Sequence, residues 1–298
     1  MILLLILVVT GLISIGASLL LGIGYALVIG NCFQVKTHWA SAIILKASIV
    51  LLGFSINVVE VYKTASAGFI VTVISISFAL MAGLLLGRLF KVEKTLAFLI
   101  TSGTAICGGS AIAAVAPVIK AKSGHIIVAI SIVFLLNAAG LLLFPYFGEL
   151  LQLDQQQFGL WAALAIHDTS SVVGAATTFG EESLQIATTT KLARALWIIP
   201  LVLLASFAFH SEKRTATLPL FIVLFVLASV FTSLVQLPDS LISMVPVMAK
   251  TGMAISLFLI GAGFNRATLS EIQWSALWQG VILWILVSLF SLLLIFYL

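Results

Sequence analysis

Two stretches of this 298-residue chain gather polar and ionisable groups inside otherwise apolar runs. The first reads Thr101-Ser102-Gly103-Thr104-Ala105-Ile106-Cys107-Gly108-Gly109-Ser110-Ala111. Glycine costs about 1 kcal/mol in a helix interior, so a Gly-Gly pair flanked by hydroxyls predicts a break in a helix. Hydrocarbon cannot satisfy the N–H and C=O groups that a break frees, so they must face a cavity or other protein. A new half-helix starting near Ser110 would aim N–H groups at an anion. Thr104, Cys107, Gly108, Gly109 and Ser110 are therefore candidate substrate-binding residues. A bland alternative is that the glycines only allow two helices to cross closely.

The second stretch is Ala165-Ile166-His167-Asp168-Thr169-Ser170-Ser171. An ionisable group inside a span is a functional candidate by default. Neighbours on a helix point about 100° apart, so an unwound turn is needed for His167 and Asp168 to face one pocket. They are the candidate ion-coupling pair, with Thr169, Ser170 and Ser171 as further substrate hydroxyls; a structural tie between helices is the alternative. Lys191 and Arg194, three residues apart, share a helix face and would add positive field, with Lys46 as a third candidate. Long basic side chains more commonly snorkel to an interface, a fate open to these and to Lys250. Four deep cations against the single carboxylate of Asp168 favour an anion site over one for Na⁺ alone.

These residues must be positioned by membrane-spanning helices. Lys and Arg number 14 and Asp and Glu 10, so 8% of residues are charged and 62% hydrophobic, with mean hydropathy +1.28. Soluble domains carry roughly 25% charged residues. The composition excludes a soluble globular enzyme, a disordered chain and a disulfide scaffold. Cys32 and Cys107 are expected to be free thiols, and no metal site is expected. With no basic residue before Lys36, no cleavable signal peptide is expected. The net charge of +4 sits mostly in short loops, which suits membrane orientation better than nucleic acid. Neither a Walker A nor a His-Glu-x-x-His pattern occurs, and no Arg-rich voltage-sensor helix.

About 20 apolar residues make a span. The segments read 2–30, 40–60, 65–90, 95–120 (interrupted), 124–147, 157–179 (interrupted), 183–209, 217–236, 240–265 and 273–298. The first, long for one span, could be two short helices. If every segment crosses once, Lys36, Arg88, Lys91, Lys94, Lys213, Arg214 and Arg266 share one side and Lys63, Lys120 and Lys122 the other. The richer side then faces the cytoplasm. Gly83 and Gly87 predict close helix packing. Ala105-Ile106-Cys107 leading to Ser110 is weakly similar to Ala165-Ile166-His167 leading to Ser170. Paired broken helices in two halves point to a transporter site.

Leu51-Leu52-Gly53-Phe54, Gly103 to Ala114, Pro117 to Lys122, Phe158-Gly159-Leu160-Trp161-Ala162, Ile166-His167-Asp168-Thr169 and Lys191-Leu192-Ala193-Arg194 occur in that order. From about residue 20 onward the chain resembles a bacterial membrane protein family described as sulfate exporters. Many members have Gln where this chain has Ser171. The resemblance implies kinship with cation–proton antiporters and anion transporters. It implies an all-α polytopic fold of about ten transmembrane segments in two inverted five-helix repeats with discontinuous helices. The repeats would be 1–148 and 157–298, pairing the fourth segment with the ninth, where Gly261, Gly263 and Asn265 would permit a break. The internal similarity instead pairs the fourth with the sixth.

The expected protein is a multi-pass bacterial inner-membrane secondary transporter, not an enzyme, exporting a small anion such as sulfate by alternating access. Its partners would be the anion, the lipid bilayer and a second copy of itself, with no nucleic acid. It would need no cofactor beyond a coupling proton or Na⁺. The rivals are a cation–proton antiporter using Asp168 and a non-transporting membrane sensor or scaffold.

Overall fold

The computed structural model describes residues 15–29, 34–209, 220–235, 238–263 and 273–297, and their regular structure is entirely helical. The expectations for residues 1–14 and for Cys32, Lys213, Arg214, Asn265 and Arg266 lie outside the described residues.

Among the described residues, five stretches are long and apolar enough to cross a membrane: Phe69–Leu89, Gly124–Leu150, Glu181–Ala208, Met244–Ala262 and Trp274–Phe296. Their outward faces carry Met81, Leu85, Leu142, Leu143, Leu204, Phe207, Leu289 and Leu293, all exposed. Leucine-rich exposed faces on several helices are what hydrocarbon contact requires. The chain is a multi-pass membrane protein.

The backbone of the architecture is α7 (Ser123–Leu150), 28 residues long and so about 42 Å from end to end. It defines a first end of the bundle near Ser123 and a second near Leu150. Before it come α4 (Phe69–Leu89), α5 (Lys94–Ala105) and the short α6 (Gly109–Val115); after it come α8 (Gln155–Ala165), α9 (Thr169–Phe179), α10 (Glu181–Ala195) and α11 (Ile198–Ala208).

The fourth segment does not cross. At the base of α5, Glu93 Oε2 lies 2.8 Å from His125 Nε2, and Thr95 Oγ1 lies 3.1 Å from His125 Nδ1. His125 is in the first turn of α7, so the chain leaves α5 and α6 at the end where it came in. Midway along the limbs, Ile112 Cδ1 of α6 stands 3.0 Å from where a Cβ on Gly103 of α5 would be. A continuous helix would hold those two residues about 13 Å apart. This segment is a re-entrant hairpin opening at the first end.

The sixth segment does the same from the second end. Asp154 opens α8 with a capping box: its carboxylate accepts from Gln157 N at 2.7 Å, and Gln157 Oε1 accepts from Asp154 N. The Phe158 ring, one turn into α8, stacks on Phe179, the last residue of α9, at 3.8 Å and 10°. Gln155 Oε1 accepts from the N–H groups of Glu182 and Ser183 at the start of α10. Start and finish of the segment are thus side by side. The expectation that each segment crosses once is corrected, and with it the sides: Lys120 and Lys122 join Lys91 and Lys94 at the first end.

The other helices are α1 (Ile15–Val28), α2 (Gln34–Gly53), α3 (Val58–Ala67), α12 (Leu220–Leu234), α13 (Asp239–Ala262) and α14 (Trp274–Phe296). α13 packs on α1 and α2, and α12 on α2; a second group joins α4, α14, both hairpins and α10. α9 lies along the seam, touching α1 and α13. Two expected segments are cut differently. The second ends at Gly53, and α3 straddles the expected boundary with the third. Gly83 and Gly87 behave as expected: with no side chain of their own, they admit Thr101 and Ala97 of α5. Gln279 of α14 locks this contact, donating to the carbonyls of Gly83 and Ala97, both at 3.1 Å.

Candidate functional site

The hairpin limbs α5 and α8 have 12 and 11 residues, about 18 and 16 Å. Each therefore reaches roughly the middle of the bundle, and there the tips meet. His167 Nε2 and Thr104 Oγ1 share a hydrogen bond at 3.0 Å. The Cβ of His167 lies 3.5 Å from the position a Cβ on Gly108 would take.

The tips are built alike. Ile106 closes α5 and Ile166 closes α8; Gly108 opens α6 and Asp168 opens α9. Cys107 and His167 sit between them. The internal similarity of the fourth and sixth segments thus corresponds to equivalent positions in two hairpins. The ninth segment, α13, runs unbroken through Gly261 to Ala262, so within the described residues it has no such interruption. Gly108 holds φ 63° and ψ −125°, a conformation closed to L side chains.

Each hairpin leaves one helix C-terminus in the middle of the bundle, with carbonyls that hydrocarbon cannot satisfy. Two cations from α10 meet them. Lys191 Nζ donates to Ile166 O at 2.6 Å and to Ala163 O at 3.2 Å, the end of α8. Arg194 donates to Ala105 O at the end of α5, through Nε at 3.0 Å and Nη2 at 2.6 Å, and its Nη1 reaches Ser75 Oγ on α4. Both side chains are fully buried. Positive charge at a helix C-terminus is electrostatically favoured. These side chains therefore tie the ends of both hairpin limbs to α10.

The start of α9 is handled by Asp168, whose Oδ2 accepts from Ser170 N at 3.1 Å and from the Ser170 hydroxyl. Asp168 N donates to Asn137 Oδ1 of α7 at 3.0 Å. His167 Nδ1 and Asn137 Nδ2 are buried with no partner among the described residues. Such groups carry a desolvation cost of about 1–3 kcal/mol and mark where a solute or water belongs.

Thr104, Cys107, Gly108, Gly109, Ser110, His167, Asp168, Thr169, Ser170 and Ser171 are brought together at the two tips. Ser110 is exposed, Gly109 and Asp168 are half-buried, and the rest are buried. Lys191 and Arg194 belong to the same cluster. Lys46 does not: it is exposed on α2, which packs principally on α12 and α13. Lys250 pairs with Glu181 across the seam at 2.5 Å. Among the described residues no group of three or more His, Cys, Asp or Glu could hold a metal. Sequence reasoning missed Asn137 and Ser75. Asn137 had a signal, a lone amide in the apolar run 124–147; Ser75 had none.

No solved structure matches the chain. Similar proteins are a UPF0324 membrane protein of Bdellovibrio bacteriovorus, 45% identical over 93% of this chain and 87% of the relative, and one of Porphyromonas gingivalis, 44% identical over 92% and 84%. A third, from Geobacter sulfurreducens, is 45% identical over 92% of this chain and 88% of its own length. The family described as conserved hypothetical protein 698 matches residues 5–295. With that span and those identities, the chain belongs to this family of bacterial UPF0324 membrane proteins.

Proposed function

We propose that the protein is a secondary active transporter that moves a small inorganic or organic anion by alternating access at the two hairpin tips. One observation carries the reading. Hairpins from opposite ends meet mid-bundle, and buried cations occupy both helix C-termini there. Irregular backbone at membrane depth is tolerated where it is buried in protein or lines a water-filled cavity, and the exposed Ser110 opens this one. With the carbonyl ends neutralised by Lys191 and Arg194, and the start of α9 capped by Asp168, the Ser110 hydroxyl, His167 Nδ1 and Asn137 Nδ2 remain to receive an anion. Asp168 and His167 couple its movement to a proton or Na⁺. A midplane site is reached from each end in turn when the hairpin group shifts against the α1–α13 group.

Sulfate is the favoured substrate through the family resemblance, and an oxyanion suits hydroxyl and amide donors. Arg88, Lys91, Lys94, Lys120 and Lys122, with Glu93, lie at the first end, against Lys63 and Lys250, with Glu149, Asp154, Glu181 and Glu182, at the second. The positive-inside rule puts the first end in the cytoplasm, which fits a bacterial inner membrane. The working unit would be the chain alone or a homodimer, with no cofactor.

The test is reconstitution in liposomes loaded with a pH dye. Sulfate or sulfite added to one side should produce a flux response that Asp168→Asn abolishes. A response to Na⁺ or K⁺ with no dependence on any anion would overturn the reading in favour of a cation–proton antiporter. Unchanged flux in both Asp168→Asn and Ser110→Ala would favour a non-transporting scaffold.

A further inference from the structure

The two hairpins share a plan at their tips and differ in what covers the limb that leads away. Counting onward from Cys107 and His167, Ser110 corresponds to Ser170, Ala113 to Val173, Pro117 to Thr177 and Lys120 to Gly180. In the second hairpin this face is shut. Ser170 is 2% and Val173 0% exposed, and Thr177 and Gly180 are half-buried. There α9 packs on α1 and α13 as well as on α7, α8 and α10. In the first hairpin Ser110, Ala113, Pro117 and Lys120 are all exposed, and Ala114 is half-buried. Here α6 packs principally on α5, α7 and α11.

The uncovered positions make one continuous face. Ser110, Ala113, Pro117 and Lys120 recur at helical spacing, and helical turns run on past Val115, with Ile119 N donating to Val115 O at 3.1 Å. The face starts mid-bundle at Ser110 and ends at Lys120 at the first end. Two observations put water, not hydrocarbon, against its deep part. A side-chain carbon on Gly109 would meet nothing within 4 Å outside its own helix and chain neighbours, so the tip borders open space. No side chain caps the start of α6, whereas Asp168 caps α9. A helix start without a cap, beside an exposed hydroxyl, cannot be satisfied by hydrocarbon at this depth. Composition agrees: lipid-facing positions of this bundle carry large apolar groups such as Met81, Leu142 and Phe207, but this face carries Ser, Ala, Pro and Lys. His167 adjoins its deep end, with its Cβ 3.5 Å from where a Cβ on Gly108 would be and its Nδ1 buried without a partner among the described residues.

We propose that this face lines a water-filled vestibule running from the first end to the hairpin tips, and that the structure is the first-end-open member of an alternating pair. The closed side is the second hairpin, whose matching face α1 and α13 cover. The opposite member covers the face from Ser110 to Lys120 and uncovers that from Ser170 to Thr177, so the hairpins exchange surroundings. Lys120 and Lys122 are exposed at the mouth, where positive charge raises the local concentration of anions and lowers that of cations. The alternation rests on the transport reading above; the water in the vestibule does not.

Thiol modification tests both parts, because the reactive thiolate forms in water and not in hydrocarbon. The chain, in a Cys32→Ser/Cys107→Ser background, is placed in vesicles of either orientation and treated with a membrane-impermeant methanethiosulfonate. Ser110→Cys and Ala113→Cys should react from the first end at least about tenfold faster than the lipid-facing Leu142→Cys. The matching Ser170→Cys and Val173→Cys should react from neither end faster than that control. Ser110→Cys exchanges one atom, so it still reads the deep end of the face should Ala113→Cys fail to fold. First-hairpin rates no faster than the control would overturn the vestibule. Val173→Cys reacting from the second end as fast as Ala113→Cys does from the first would overturn the one-sided state. Labelling needs no flux, so a chain that labels as expected yet moves no anion keeps the vestibule and sinks the transport reading.

Discussion

Replacing Arg194 with Met removes the groups that satisfy the end of α5 while keeping a long side chain in place. Ala105 O then loses two donors, at 3.0 and 2.6 Å, in a fully buried setting. A hydrogen bond to a charged group contributes about 1.5–3 kcal/mol, and a cation at a helix C-terminus up to about 2 kcal/mol. The two bonds share one acceptor and do not add fully, so the expected loss is about 3–5 kcal/mol. At roughly 2–4 °C per kcal/mol, the purified protein should melt about 6–20 °C lower. Arg194→Lys, which keeps the charge and can still donate to Ala105 O, should recover part of that difference. Lys94→Met is the control: its ammonium sits 4.8 Å over the Phe209 ring at the exposed first end, and its loss should shift melting by no more than about 2–4 °C. The assay is thermal unfolding in detergent, followed by intrinsic tryptophan fluorescence. An Arg194→Met protein that melts with the unmodified chain would refute the idea that this cation supports the first hairpin.

Three further outcomes follow from the same geometry. Gly108→Ala forces a side chain into φ 63°, ψ −125° with Val133 Cγ1 3.1 Å away; it should destabilise by about 1–3 kcal/mol and reduce flux, which melting and liposome assays would read. Asn137→Leu strips Asp168 N of its acceptor and should cost about 1–2 kcal/mol in denaturation. Lys94→Cys and Lys122→Cys should be labelled from one side of the membrane, and Asp154→Cys and Glu182→Cys from the other. Labelling of 94 and 122 from opposite sides would show that the fourth segment crosses after all.

The sequence exposed the hairpin tips better than the hairpins. Gly108-Gly109 and His167-Asp168 are poor helix interior in an apolar run, so both breaks could be read, and the matched Ala-Ile steps identified them as a pair. That the chain turns back was hidden, because a break looks the same whether the next limb goes on or returns. The 95–120 run is long enough for a full crossing, and the meeting of Glu93 and Thr95 with His125, with Ile112 beside Gly103, decides otherwise. The spacing of Lys191 and Arg194 placed them on one face but said nothing about what the face meets. Their partners are main-chain carbonyls, and every residue type has one of those. The close packing of Gly83 and Gly87 was legible because helix contact in lipid selects for small residues. Lys46 shows the opposite lesson: a basic residue well inside a helix can still lie on its exposed face.

Counterflow of labelled sulfate tests the central claim most directly. Liposomes holding the purified chain and loaded with unlabelled sulfate should accumulate labelled sulfate transiently. Thr104→Val and Asp168→Asn should each suppress the signal, and Lys46→Met should leave it intact. Accumulation no greater than in empty liposomes, for sulfate and for a panel of other small anions, would contradict the assignment of the hairpin tips as an anion-transport site.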